Sequence, residues 1–473
     1  MLSRKARISR PLCICSKTSK LLLVQEVPIA YQHKFYNSCI CNEYHALLRR
    51  HLVQRPDLMD VRYFQKQVRN YILEFIPKGP IVRVSFEHLV SRYTGAKRRL
   101  YQKAAELLDF DRNERSWSVV SMFVKAERIP TSDLDSKAPR AIQFRKPQFN
   151  LLLASYLHPL ELAAYQMTGV IGLRMVAKGL NNLQRASLLV EASNSFRDPL
   201  YIMLDHSKFD SYVNKFHLKY CHIIYNKVFS DPYLRYLLHF QVNNRGWTKG
   251  GIRYSVEATR MSGDFDTGMG NTLINLLVIR AWFNNFKHYM LVDGDDAVLI
   301  VEKLDAQYLD SKHFSRMGFE TQLSYTTELE GVEFCRAKLL LLDPPRFARE
   351  PWRALSHLSS SLKSYSGSGI PRYLAGIGLG ELAASNGVPI IMPIALKMST
   401  LSKKPIYDEG YIVRYGDAGK LAPITSAARI AYWLAWGITP TEQERIEAEY
   451  TPNWHAGLHE WFNSLPENAE ITQ

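Results

Sequence analysis

Three aspartates, Asp293, Asp295 and Asp296, fall within four residues of "MLVDGDDAVLIVE", a stretch otherwise almost entirely apolar. Carboxylates that close repel one another, and chain folding alone offers little to hold them together. The β-branched runs on either side predict a buried hairpin, and Gly294 can take the backbone angles of its tight turn. By itself a Gly-Asp-Asp is equally an ordinary solvated turn. A second acidic pair shifts that balance: "IMLDHSKFDSYVN" sets Asp205 directly after a buried-strand run and Asp210 five residues later. Taken alone, this pair is as well explained by a helix cap and a solvated face. Brought beside the hairpin, Asp205 would complete a carboxylate cluster drawn from distant parts of the chain. Hard oxygen ligands of that kind suit Mg2+ or Mn2+, whose charge cancels the repulsion. Two such ions, about 3.5–4 Å apart, are the apparatus of phosphoryl transfer.

Two further segments carry polar groups at useful spacing. In "ATRMSGDFDTGMGNTLIN", Ser262, Gly263, Gly268 and Gly270 form a loop that lets another backbone approach closely. Thr267 and Asn271 lie four apart, on one face of a helix, able to hydrogen-bond a sugar hydroxyl or a carboxylate such as Asp210. A flexible glycine-rich turn with a capping residue reads the same way. In "MFVKAERIPTSDLDSKAPRAIQFRK", the bases Lys125, Arg128, Lys137, Arg140, Arg145 and Lys146 outnumber three acids. A triphosphate needs several converging cations, and guanidinium forks match phosphate oxygens. Strand alternation in "PRAIQFR" puts Arg140 and Gln143 on different faces, with Arg145 on Gln143's side. A solvated basic strand is the plainer alternative.

The elements around these segments are those of a large mixed protein. The 473 residues are 46% hydrophobic and 12% aromatic, which excludes a disordered chain. "LYIML" reads as a buried strand and "SYVNKFHLKYCHIIYNKVF" as a helix. A long apolar helix begins near Thr267, and "NEYHALLRRHL" forms another helix near the start. Strands separated by helices point to a sheet packed on helices, and the text after Pro344 is helical with loops. The net charge is +15, yet from Thr441 onward seven acids face one base, so the remainder is six charges more basic still. Such a body favours a polyanion, nucleic acid or an anionic membrane surface. No apolar run reaches the ~18 residues of a membrane span; "TLINLLVIRAWF" comes nearest. The first 25 residues hold six bases and no acid, which suits an unstructured basic arm touching RNA or lipid better than a targeting presequence. Six cysteines in this length do not make a disulfide scaffold. Cys13/Cys15 and Cys39/Cys41, near His33 and His45, have C-x-C spacing rather than the C-x2-C of zinc sites, which argues against zinc.

Together the segments resemble the RNA-dependent RNA polymerases of positive-strand RNA viruses, most closely the tombusvirus-like (carmovirus-type) group. "FVKAERIPTSDLDSKAPRAIQFRKPQFN" resembles their motif F, through Lys125, Glu127, Lys137, Arg140 and Ile142. "LDHSKFD" is similar to motif A, "SGDFDTGMGN" to motif B, "DGDD" to motif C and "GVEFCRAKLLL" to motif E. "LHPLE" and "KGLNNLQRASLL" also have the look of the group. The resemblance covers roughly residues 120 to 345, with five motifs in order.

That resemblance implies an α/β (α+β) right-hand polymerase fold, with fingers, a palm of antiparallel sheet on helices, and a helical thumb. It divides the chain into a basic extension (1–60), fingers (61–198, with motif F at 125–147), palm with an inserted fingers segment (199–345), and thumb with acidic tail (346–473). It implies RNA synthesis from NTPs by two-metal nucleotidyl transfer, replicating a viral genome. Asp205, Asp295 and Asp296 would hold two Mg2+ or Mn2+ ions. Asp210, Ser262, Thr267 and Asn271 would recognise the ribose, Lys125, Lys137, Arg140 and Arg145 the triphosphate, and Gly263 and Gly294 would shape turns. Partners would be template and nascent RNA, other viral replication proteins and host membranes, at membrane-associated sites in the host cytoplasm. One departure stands out: Gln322 falls where related enzymes often carry a lysine proposed to protonate pyrophosphate, and Gln is no general acid. A basic RNA-binding or coat protein would explain the charge but not acids at two strand ends. A reverse transcriptase would not explain Asn271 beside Asp210.

Overall fold

The computed structural model describes residues 7–8, 17–24, 33–53, 59–407 and 419–450. Its centre is a four-stranded antiparallel sheet in the order His288–Asp293, Asp296–Glu302, Pro199–His206, Thr321–Thr326. Apolar residues on both faces of the first three of these strands follow from burial on both sides. Ile202, Leu204, Val292 and Leu299 pack toward the long helix Thr267–Phe283 and the helix Lys215–Phe229. Tyr201, Leu291, Val298 and Ile300 pack the other way, against the helix Asn182–Ser193 and the hairpin built from Glu333–Phe334 and Ala337–Leu340. Period-two alternation along one strand thus serves two cores. The helical reading of "SYVNKFHLKYCHIIYNKVF" is corrected in one respect. It breaks at Val213, because Asn214 caps a new helix by accepting from the N–H groups of Phe216 and His217.

A second sheet, of five strands, runs Arg7–Ile8, Arg253–Glu257, Asn243–Thr248, Val120–Val124, Ala141–Phe144. Its inner face buries Val120, Met122, Tyr254 and Val256 against Ala46 and Leu47. Beyond Arg346–Arg349 the chain is largely helical, with Leu355, Leu374, Ile394 and Tyr432 in a separate core. The fold is therefore mixed α and β, as expected.

The basic arm is not unstructured where it is described. Arg7–Ile8 pairs with Arg253–Glu257, Leu22–Leu23 with Ser360–Ser361, and His33–Tyr36 with Ile129–Pro130. Strands of two to four residues leave no readable periodicity, which is why composition alone misrepresented the arm. Cys13 and Cys15 lie outside the described residues, while Cys39 is a free thiol. No helix among the described residues is long and apolar enough to cross a membrane.

Candidate active site

The aspartates gather at one end of the central sheet. Asp293 pairs with Asp296 across a two-residue turn, and Gly294 at its first position takes φ +70°. A positive φ there matches the twist of the flanking strands. Ala297 faces Leu204, so one step further along the same register Asp296 lies opposite Asp205, and Asp205 in turn pairs with Gln322. Directly opposed residues share a face. Asp293, Asp296, Asp205 and Gln322 therefore form one row across all four strands, with Asp295 at the turn beside it.

The long helix Thr267–Phe283 fixes the turn from behind. Thr272 Oγ1 accepts from the Gly294 N–H at 3.0 Å, and Asn275 Nδ2 donates to the carbonyls of Gly294 (3.2 Å) and Asp295 (3.1 Å). Asn275 Oδ1 contacts His206 Nε2 at 3.1 Å, and His206 Nδ1 meets Thr321 Oγ1 at 2.8 Å. One buried amide thus couples the turn to the strand of Asp205 and to its neighbour. Sequence reading missed Thr272, Asn275 and His206. A signal existed, because Asn275 follows Asn271 by four residues, on the same face of an otherwise apolar helix.

Charge separates the aspartates into two kinds. Asp293 is held by Lys178 Nζ at 2.5 Å and Arg185 Nη2 at 2.6 Å. Burial pushes its carboxyl up, but the two cations outweigh that and hold it below the usual range. It is an internal anchor. Burial raises Asp295, and burial together with the Asp295 and Asp293 charges pushes Asp296 up to about 6. Both residues nevertheless remain exposed to solvent. Lys178 and Arg185 come from "KGLNNLQR", a segment to which the sequence reading gave no role.

These residues fit a divalent ion. The donors are hard carboxylate oxygens, and the surroundings of Asp295 and Asp296 resist their full ionisation until positive charge arrives. Among the described residues, no three His, Cys, Asp or Glu side chains already converge as a ready cage. Mg2+ does not require one, since it keeps several waters and is typically held by one or two carboxylates plus phosphate oxygens of a substrate.

Asp210 sits beside this row. Lys208, at φ +49°, turns the chain after the strand so that Phe209–Tyr212 brings Asp210 back toward the site. Asn271 Nδ2 donates to Asp210 Oδ1 at 2.7 Å, while Arg260 Nε donates to Asn271 Oδ1 at 3.2 Å. The buried guanidinium therefore fixes which way the Asn271 amide points. Burial, and then the Asp295 charge, raises Asp210, with the Asn271 bond opposing.

Ser262 is engaged by the strand Ala141–Phe144, and Thr267 by its own loop. Ser262 Oγ accepts from the Gln143 N–H at 3.1 Å, and Thr267 Oγ1 donates to the carbonyls of Met261 and Asp264. Gly263 N–H donates to the Gln143 carbonyl at 2.6 Å, and a Cβ on Gly263 would lie 2.6 Å from that oxygen, so only glycine fits.

The basic segment divides. Arg140 and Lys125 both pair with Glu127, at 3.3 and 3.4 Å, and Arg140's charge reaches Asp210 and Asp295. Lys137 pairs with Asp133 of its own turn at 2.6 Å. Arg145 departs from expectation: it is 1% exposed, and its fork makes five hydrogen bonds, to Asp264, Asn244 and the carbonyls of Ser118 and Phe240. Alternation correctly gave it Gln143's side, but that side is the interior, where Asp264 neutralises it. It cannot reach a nucleotide from there. A second buried pair, Arg260–Asp266 at 2.8 Å, stands alongside, and Gln241 donates to both Asp264 and Asp266.

With this geometry in place, comparison with known proteins places the chain in a class. Residues 7–456 match the family described as Viral RNA dependent RNA polymerase, and the chain belongs to that family. It is 30% identical over 399 residues to the RNA-directed RNA polymerase of Tobacco necrosis virus (strain D), covering 78% of this chain and 55% of that protein. It is 28% identical over 477 residues to that of Melon necrotic spot virus (92% and 59%). Against that of Carnation mottle virus it is 28% identical over 466 residues (92% and 60%). The chain thus spans between about half and three fifths of the length of these relatives.

Proposed function

We propose that the chain is a template-directed RNA polymerase that replicates a positive-strand viral RNA from NTPs. The observation that carries this reading is the row in which Asp205 and Asp296 stand on adjacent strands beside the Asp295 turn, with the Asn271–Asp210 pair next to it. In this reading the central sheet and its helices are the palm, the five-stranded sheet belongs to the fingers, and the C-terminal helices form the thumb. The strand Leu22–Leu23 pairs with Ser360–Ser361 in the thumb, and His33–Tyr36 pairs with Ile129–Pro130 in the fingers.

Asp205 and Asp295, supported by Asp296, would hold two Mg2+ or Mn2+ ions. When bound, divalent ions supply the charge that favours ionisation of the attacking 3′-hydroxyl and departure of pyrophosphate. Asp210 and Asn271 orient the ribose 2′-hydroxyl, the amide pre-set by Arg260. Arg140 and Lys125 exchange Glu127 for the triphosphate. Ser262 and Gly263 keep the loop seated on the strand Ala141–Phe144, and Thr267 closes the loop on itself. Gln322 beside Asp205 cannot donate a proton, so pyrophosphate is protonated by another group or by water. Template and nascent RNA are the macromolecular ligands, and other viral replication proteins and host membranes are the expected company at cytoplasmic replication sites.

Primer extension with one labelled NTP and Mn2+ tests the reading. The unaltered protein should add NMP, while Asp295→Ala should retain template RNA but lose incorporation by at least about a thousandfold, ~4 kcal/mol of barrier. Incorporation within tenfold of the unaltered protein would contradict it.

A further inference from the structure

The helix Val61–Tyr71 carries a row of cations that the carboxylate site does not use. Its sequence, "VRYFQKQVRNY", has no acid, and it runs on into the single turn Ile72–Phe75. Asp60 caps its start by accepting from the Tyr63 N–H. Phe64 and Tyr71 turn inward. Phe64 meets His217 of the helix Lys215–Phe229 edge to face at 4.9 Å, and Tyr71 donates to Asn284, just past the long helix, at 3.0 Å. On the opposite side, Arg62, Lys66, Arg69 and Leu73 recur at steps of four, three and four, which makes one straight stripe about 16 Å long. All four are exposed, Leu73 by 70%.

The charge on this stripe is uncompensated. None of its three cations has an ion pair or hydrogen bond among the described residues. The acids at either end serve other bases: Asp60 pairs with Arg316 at 3.8 Å and Glu74 with Arg280 at 2.8 Å. Like charges held in a row on a rigid helix repel one another, and an anionic surface relieves them. A single strand of nucleic acid would call for aromatic faces as well, and the stripe offers none. Tyr71 is buried, and Tyr63 lies beneath the Arg316 guanidinium at 3.6 Å. A second copy of the chain brings no free acidic face in its helix Pro440–Glu449, where Glu442 and Glu449 pair with Arg445 and Glu447 with Arg429. A lipid surface fits better. It is flat enough to meet a straight stripe along its whole length, anionic headgroups answer the cations, and the exposed leucine enters the acyl boundary.

We infer that the outward stripe of Arg62, Lys66, Arg69 and Leu73 docks on an anionic membrane surface. The expectation of a membrane rests on the polymerase reading, and the inference deepens it by naming the face that makes contact. No aspartate of the site takes part.

The test is flotation of the full chain with vesicles, in EDTA and without NTP or template, so that failure of catalysis has no bearing. Vesicles of phosphatidylcholine alone are compared with vesicles holding about 30% phosphatidylserine, at about 0.1 M salt. Replacing the three cations together, by Arg62→Gln, Lys66→Gln and Arg69→Gln, should weaken binding to the anionic vesicles about a hundredfold, about fivefold per cation. Leu73→Ala should weaken it about fivefold. Arg98→Gln, Arg99→Gln and Lys103→Gln remove the same charge from another exposed helix and should cost less than about threefold. The stripe variant should keep primer extension in solution within about twofold, which separates this face from the polymerase site. Anionic-vesicle binding by the stripe variant within threefold of the unaltered protein, at an unchanged melting temperature, would overturn the proposal. Equal losses for the two triple variants would also overturn it, since the attraction would then belong to net charge. So would equal binding of the unaltered protein to both kinds of vesicle.

Discussion

At the scale of single residues, position relative to a counter-charge decides role more than residue type does. Arg140 and Arg145 lie five apart in one basic segment, yet one is exposed and close to the carboxylates and the other is locked inside. They should therefore fail differently. Arg140→Ala should raise the NTP KM or lower kcat about tenfold or more, while template affinity changes less than twofold, as steady-state kinetics and RNA binding would show. Equal loss of both would reduce the segment to an RNA-binding strand. Arg145→Ala should cost about 3–5 kcal/mol of stability, because Asp264 is left buried and unpaired. A chemical-denaturation midpoint unchanged by that substitution would refute the structural role. Asn271→Ala should raise dNTP use relative to NTP, read from competition between the two. An unmoved ratio would remove Asn271 from sugar recognition.

At the scale of elements, the long helix Thr267–Phe283 acts as a brace for the acidic turn. Asn275→Ala deletes its bonds to the Gly294 and Asp295 carbonyls, so kcat should fall while the NTP KM stays within about twofold. The stability cost should be about 1–3 kcal/mol for the carbonyls left unsatisfied. A parallel rise in KM would mean that the brace shapes the nucleotide site rather than the carboxylates. Much of this layer was legible in advance. The hairpin around Gly294, the strand leading to Asp205 and the helix start at Thr267 all follow from apolar runs bounded by turn residues. The bracing was less legible, because Lys178 and Arg185 reach Asp293 from more than a hundred residues away, and no local pattern encodes that meeting. Arg145 was misassigned for the same reason, since its partner Asp264 is remote in sequence. The arm was misjudged because its strands are too short to carry a period.

At the scale of the whole molecule, short strands near the start of the chain pair with the five-stranded sheet and with the C-terminal part of the chain. Leu22–Leu23 adds to Ser360–Ser361, and Arg128 donates to the Ser360 carbonyl and hydroxyl. Stability should also carry an acid limit set by buried imidazoles. Burial lowers His206, His288 and His313 to about 4, against about 6.5 when unfolded. The unfolded chain binds more protons between those values, so the contribution is complete above about pH 6.5 and is lost as pH falls toward 4. Melting temperature should therefore drop steadily across that window, and His313→Gln should flatten the drop. A melting temperature constant from pH 7 to 4 would contradict this.

The central claim is that Asp205 and Asp295, ninety residues apart in the chain, act as one divalent-ion site. Electron paramagnetic resonance titration of Mn2+ in the presence of a non-hydrolysable NTP addresses it directly. The unaltered protein should bind two ions, and Asp205→Asn and Asp295→Asn should each weaken that binding severalfold or more, with the double variant little worse than the more damaging single one. Two ions bound with undiminished affinity in both single variants would contradict the account.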